Sequence, residues 1–384
     1  MDQKIKVLLV GVGGYGGGYL RALLDEDFGA EIAGVVDVMP DILERCPEIE
    51  KNRLSLYRSI ADFYKENTAD LAILSSPIHL HTPMSLECMK NGSHVLCEKP
   101  LCLTIEEAET LDACCKETGK FLAVGYQMNF RRDIQAVKKD ILSGKFGSPL
   151  RLRAVQAFRR GSKYYARNNW AGRISVNGRE VFDSPFTNAS AHNFQMLTFL
   201  LGKDMDRACD ITGVEAEMYR GNPNVENYDI AFMRFSTDRG ADICYYTAHP
   251  HSTDALGPFG RLEFEKGVIT YGKDEHFRAV MNTGEEIDYG NPSPVGSAFS
   301  YKLRDTLACI RENTSPVCTI ACETGHIRAV RMVQALPIQN IDPSHVDVIE
   351  DETRGTCYHV KNLEDALLTC AENWQLPGEL GIRL

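Results

Sequence analysis

The sequence predicts an α/β chain in two parts: a doubly wound parallel sheet first, then an α+β domain with a large, mainly antiparallel sheet. Three observations predict it. Residues 5 to 126 alternate short apolar runs with helix-like stretches, the pattern of a parallel sheet covered by helices on both faces. Beyond Gly125 the strands are longer and separated by tight turns, which reads as antiparallel hairpins. At 384 residues, 43% hydrophobic and 25% charged, the chain can bury the cores of two or three domains.

In the first part, strands are expected from Ile5 to Val10, Glu31 to Val36, Asp70 to Ser75, His94 to Cys97 and Phe121 to Gly125. Helices are expected from Ser59 to Glu66, Pro83 to Lys90 and Ile105 to Thr118, with Thr82 and Thr104 as caps. This gives a first domain over residues 1–126 and a second over 127–384. A helix near Arg131 to Ser143 and a strand from Leu150 to Phe158 open the second. Two hairpins follow, turning at Asp238–Gly240 and at Lys266–Gly267. The GNPSPVG stretch from Gly290 to Gly296 reads as a linker. Helices then run near Ser297 to Asn313, Cys322 to Leu336 and Leu363 to Asn373, the last able to pack back on the first domain.

Charge and cysteine content exclude several function classes. With 53 acidic against 42 basic side chains the net charge is −11, so no broad positive field exists for nucleic acid or an anionic membrane. No apolar run reaches the ~18 residues of a membrane span. Glycines at Gly11, Gly13 and Gly14 interrupt the N-terminal apolar run before signal-peptide length. The 13 cysteines are odd in number and lack CxxC pairs, which suits a reduced, cytoplasmic protein without a disulfide framework. Cys318, Cys322 and His326 share helical spacing, but Cys318 precedes the helix, so no metal site is expected.

The most informative local pattern is Gly11, Val12, Gly13, Gly14, Tyr15, Gly16, set between an apolar strand and a helix. Gly11 permits a tight turn, Gly13 lets the backbone approach a pyrophosphate, and Gly16 lets helix and strand pack closely. Asp37 ends the next strand, 21 residues past Gly16. Its carboxylate suits the ribose hydroxyls of NAD and disfavours the 2′-phosphate of NADP. Arg45 or Arg58, folded back, would reverse that preference; the plainer reading of Asp37 is a solvated helix cap. Two further strand ends, Ser75 to His81 and Cys97-Glu98-Lys99-Pro100, lie where ligands sit in such sheets. Charge between an apolar strand and a proline points to a ligand.

Together, GVGGYG at Gly11 to Gly16, SSPIHLH at Ser75 to His81, NGSHVLCEKPL at Asn91 to Leu101 and VGYQMNFRR at Val124 to Arg132 resemble the glucose-fructose oxidoreductase, inositol dehydrogenase and MocA family (Gfo/Idh/MocA). The resemblance covers about the first 135 residues in spacing and order. It implies a Rossmann domain, and a cofactor contacted by Gly11, Gly13, Gly14, Tyr15, Gly16, Asp37, Ser76, Pro77, His79, His81, Glu98 and Lys99. It also implies that Lys99 lies beside the nicotinamide and that a histidine of the second domain is the acid/base. His192 fits that role, but Asn188 and Gln195 stand where the family carries acids. The substrate is expected between the first domain and the face of the antiparallel sheet, and a dimer through that sheet's other edge or face is likewise implied, giving a homodimer or homotetramer.

Removing hydride from an alcohol leaves a proton and a developing alkoxide. Histidine, titrating near neutrality, can take the first, and a lysine ammonium can stabilise the second. His192 as base and Lys99 as stabiliser therefore satisfy the chemistry, with Asn188 and Gln195 a helical turn away on either side as neutral hydrogen-bonding partners. The basic, aromatic stretch from Arg159 to Arg173 is the exception in an acidic chain. Tyr126, Tyr164, Tyr165 and Trp170 could meet a sugar face while Arg167 or Arg173 holds a hydroxyl or carboxylate. A solvated loop meeting another subunit is the alternative for that stretch.

The expected function is an NAD-dependent oxidoreductase interconverting a hydroxyl and a ketone on a sugar, inositol or related polyol. Two rivals stay open: a dinucleotide-sensing regulator without turnover, favoured by the missing acids around His192, and an enzyme with tightly bound NAD working through a transient keto-sugar.

Overall fold

The structure is a computed structural model and describes residues 4–290 and 297–384. The GNPSPVG stretch past Gly290 lies outside the described residues. The chain divides into two compact units: Met1–Arg131 with Ser293–Thr324, and Arg132–Pro292 with Gly325–Leu384. The first boundary thus falls five residues beyond the expected one. More substantially, the segment around the helix Ala298–Glu312 returns to the first unit. Its Leu303 and Leu307 are buried in the same core as Tyr19, Leu20 and Ile73, a long-range contact that no local pattern reveals.

In the first unit six parallel strands form one sheet: β1 (Ile5–Val10), β2 (Ala30–Val36), β3 (Leu56–Tyr57), β4 (Leu71–Leu74), β5 (His94–Cys97) and β6 (Leu122–Val124), in the order β3-β2-β1-β4-β5-β6. The order reverses between β1 and β4, the switch point where a ligand crevice opens at the strands' carboxyl ends. Every residue of β4 is buried, as expected for a strand covered on both faces. The two-residue β3 is too short for any apolar period to announce it. Thr104 caps the helix Ile105–Thr118 by accepting from Glu107 N at 3.2 Å. Thr82 does not cap: the helix His81–Lys90 begins before it.

The second unit carries a nine-stranded, mainly antiparallel sheet. Across it the strands run Glu286–Asp288, Arg278–Met281, Gly267–Tyr271, Ala255–Phe264, Pro149–Phe158, Asp242–Ala248, Ile230–Thr237, Ile211–Arg220 and Ile338–Asn340. Both expected hairpins pair antiparallel. Alternation along these strands gives the sheet two apolar faces. The helix Ala191–Leu200 covers one, where Phe194 meets Phe235 and Tyr245. The helix Leu363–Asn373 covers the other, where Leu363, Leu367 and Cys370 pack with Ile230, Phe232 and Tyr246. The C-terminal helix therefore belongs to this unit. It covers the centre of that face.

Candidate active site

The cofactor half is built at the carboxyl ends of β1, β4 and β5. Gly11 has φ +80°, and a Cβ there would lie 2.9 Å from Ser75 O. A Cβ on Gly16 would lie 2.1 Å from Gly11 O, so only glycine lets helix Gly17–Asp25 start this close to the strand. Asp37 is buried and holds the turn: Oδ2 accepts from Val12 N at 2.9 Å and Gly13 N at 3.1 Å, and Oδ1 from Met39 N at 2.9 Å. Arg58 lies beside this carboxylate, donating to Asp37 O and Met39 O at 3.2 Å each, while Arg45 turns to Asp41. Ser75 Oγ and Ser76 Oγ are buried without a hydrogen-bond partner. Narrow backbone, an acid at the end of β2 and orphaned hydroxyls on the facing turn together fit a dinucleotide.

Glu98 is fixed by groups the sequence reading missed. Its Oε1 accepts from Tyr19 Oη at 2.6 Å and from Lys302 Nζ at 2.5 Å, and its Oε2 from Lys99 N at 3.3 Å. Lys302, fully buried on the helix Ala298–Glu312, also donates to Tyr15 Oη at 3.3 Å and Gly125 O at 3.4 Å. One cation thus ties the glycine turn, β5's end and β6's end together. Burial pushes the Lys302 ammonium's pKa down, and the Glu98 carboxylate works against that. The signal was a lysine on the stripe Phe299, Leu303, Thr306, Leu307, where an apolar residue is expected. Lys99 is half-buried next to this network, and its peptide bond to Pro100 is cis.

The histidines of the β4 turn differ in kind. His81 is buried, with Nδ1 2.8 Å from Pro100 O and Nε2 2.8 Å from Ser76 O, so it clamps the ends of β4 and β5 together. His79 and Pro77 are exposed. Tyr126 is fully buried and donates to Glu323 Oε1 at 3.1 Å. Among the described residues no group of three or more His, Cys, Asp or Glu is arranged to hold a metal. All thirteen cysteines are free thiols.

In the second unit His192 is the second residue of the helix Ala191–Leu200 and is half-buried. The turn before it is anchored to the sheet: Ser190 Oγ lies 2.7 Å from Thr247 Oγ1, and Tyr245 Oη donates to Ser190 O at 2.7 Å. The helix starts too late for Asn188 to flank His192 by one turn. Asn188 instead lies in the preceding turn and donates to Asp183 Oδ1 at 2.8 Å. Gln195 is on the helix but fully buried. Asp183 is the acid the sequence reading missed; it also accepts from Gly172 N at 2.7 Å and faces Arg167 at 3.9 Å. Arg167 stacks on Tyr164 at 3.6 Å and on Trp170 at 5.0 Å. Tyr165 Oη lies 2.8 Å from His249 Nδ1. Arg173 is exposed.

Comparison with known proteins agrees with this geometry. Residues 5–126 match the Gfo/Idh/MocA family model, described as an oxidoreductase family with an NAD-binding Rossmann fold. Residues 5–126 thus carry the NAD-binding Rossmann domain of the Gfo/Idh/MocA oxidoreductase family. It is 30% identical to inositol 2-dehydrogenase of Rubrobacter xylanophilus over 153 residues, 40% of this chain and 44% of that protein. It is 22% identical to scyllo-inositol 2-dehydrogenase (NAD(+)) of Bacillus subtilis over 357 residues, 88% of this chain and 97% of that one. A solved oxidoreductase from Agrobacterium radiobacter, in complex with NAD+, L-tartaric acid and magnesium, shares the fold at TM-score 0.68 and 17% identity, covering 85% of this chain and 94% of its own. The Gfo/Idh/MocA match ends at residue 126.

Proposed function

We propose that this Gfo/Idh/MocA protein is an NAD-dependent oxidoreductase interconverting a hydroxyl and a ketone on a sugar, inositol or related polyol. The observation that carries the proposal is the cofactor cradle: a glycine turn with no room for a Cβ at Gly11 and Gly16, closed by Asp37 and continued by the Glu98–Lys99 turn. The inositol dehydrogenases it resembles act on secondary alcohols of this kind, which supports the substrate class.

Gly11 to Gly16 and the helix N-terminus behind them would hold the pyrophosphate, and Asp37 the adenosine ribose. Bound there, NAD supplies a hydride acceptor. Lys99 stabilises the oxygen of the reacting carbinol as negative charge develops on it, and His192 takes the hydroxyl proton. Asp37, turned towards the glycine backbone, favours NAD over NADP, with Arg58 beside it as the group that would hold a 2′-phosphate.

The test is NADH formation across sugars, inositols and sugar acids. Turnover is expected with NAD over NADP, and Lys99→Ala and His192→Ala should each lower kcat by about 100-fold or more. NAD binding with no turnover on any substrate, unaffected by Lys99→Ala, would favour the regulatory reading and overturn this one.

A further inference from the structure

The loop between the strand Pro149–Phe158 and the helix Ala191–Leu200 carries more positive charge than it neutralises. Arg160 lies over the rings of Phe158 (5.3 Å) and Tyr164 (4.7 Å), and no carboxylate pairs with it among the described residues. Its Nε is buried and lacks an acceptor. Arg167 stacks on the same Tyr164 ring and approaches Asp183 only to 3.9 Å. That carboxylate already accepts from Gly172 N and Asn188 Nδ2.

A third donor comes from His249, which is 2% exposed. Burial holds the Tyr165 phenol protonated, and its hydroxyl meets only His249 Nδ1 among the described residues. Tyr165 therefore donates to Nδ1, which leaves the imidazole hydrogen on Nε2. His249 Nε2 is buried with no partner. Burial first, then the nearby Arg160 and Arg167 charges, keep this ring neutral.

Two guanidinium groups against one carboxylate leave a single positive charge, and two donors, Arg160 Nε and His249 Nε2–H, face no acceptor, while Arg167 Nη1 donates to Tyr164 O at 2.7 Å beside them. Such a half-buried cation is costly unless a ligand completes it. One net charge matches a monoanion, and the planar guanidinium fork matches a carboxylate. A phosphate dianion would exceed the charge available and be repelled by Asp183. We infer that Arg160, Arg167 and His249 Nε2–H bind a carboxylate of the substrate, making its class a polyhydroxylated acid such as a uronate. This rests on the oxidoreductase reading for the word substrate, but not for the site.

The experiment compares matched pairs, D-glucuronate with D-glucose and D-galacturonate with D-galactose, in turnover with NAD and in calorimetric binding. The acids should exceed the neutral sugars in kcat/KM by about 10- to 100-fold, the range of one charge-assisted hydrogen bond. Arg160→Gln should cut the acid-to-neutral ratio at least tenfold through KM, and Arg160→Lys should restore part of it. Equal kcat/KM for acid and neutral sugar, or a ratio unchanged in Arg160→Gln, overturns the site. Inorganic phosphate binding more tightly than glucuronate overturns the carboxylate assignment. Glucuronate binding that Arg160→Gln abolishes, without NADH from any substrate, would retire the oxidoreductase reading and leave the anion site standing.

Discussion

At the scale of the residue, Lys302 has the largest predicted effect on stability. It is the cation for Glu98, and both are buried where neither can be hydrated. Lys302→Met would leave that carboxylate with only the Tyr19 hydroxyl and the Lys99 amide and no cation, so about 3–5 kcal/mol of stability should be lost in urea unfolding, together with tighter NAD binding. The double variant Lys302→Met, Glu98→Gln removes the orphaned charge and should recover part of the loss. A double variant as unstable as the single would show that packing, not charge, is at stake. The pair also shows which site residues were legible. Gly11 to Gly16 and Glu98–Lys99 were read correctly as neighbours of strand ends because their geometry is local. Lys302 is 204 residues from Glu98, and only tertiary packing joins them. Asn188 was misplaced because its reading assumed a helix through position 188, whereas Asp183 takes the Asn188 amide and the helix begins at Ala191; Gln195 does lie on that helix a turn past His192.

At the scale of the element, the helix Leu363–Asn373 is fastened at its first turn by one carboxylate. Glu364 Oε1 accepts from Ser252 N (3.1 Å) and Oγ (2.8 Å) and from Thr253 N (2.9 Å) and Oγ1 (3.1 Å). Partial burial acts to raise its pKa, but these hydrogen bonds, with His251 beyond them, overcome it and hold the carboxyl at about 2. A folded-state value below the unfolded one means stability that is present above about pH 4.5 and lost as pH falls towards 2. Glu364→Gln should therefore cost about 2 kcal/mol near neutrality and flatten the acid limb of a stability–pH curve. An acid limb unchanged by the substitution would sink this assignment. The helix itself was legible from its apolar spacing, and the hairpins from their turns. What they pack against was not, because amphipathic pattern fixes a buried face without naming its neighbour.

At the scale of the whole molecule, the placement of that helix bears on assembly. The resemblance implies a dimer through the antiparallel sheet's other edge or face, away from the substrate. Here the central strands present Ile230, Phe232, Tyr246 and Ala248 to the chain's own Leu363, Ala366, Leu367 and Cys370. Tyr246 Oη donates to Cys370 O at 3.1 Å, and Trp374 lies under Arg151 at 4.1 Å and Arg153 at 5.0 Å, closing the seam. A second copy could reach this part of the sheet only by displacing the helix, giving up its apolar burial at roughly 25 cal/mol per Å². The intact chain is therefore expected not to dimerise through this face, and deletion of residues 362–384 is expected to expose a contiguous apolar surface of the kind that drives association. Light scattering should show the shortened chain self-associating at concentrations where the intact one does not. A shortened chain that stays folded, with its association state unchanged, would mean that the helix is not what keeps this face from a partner.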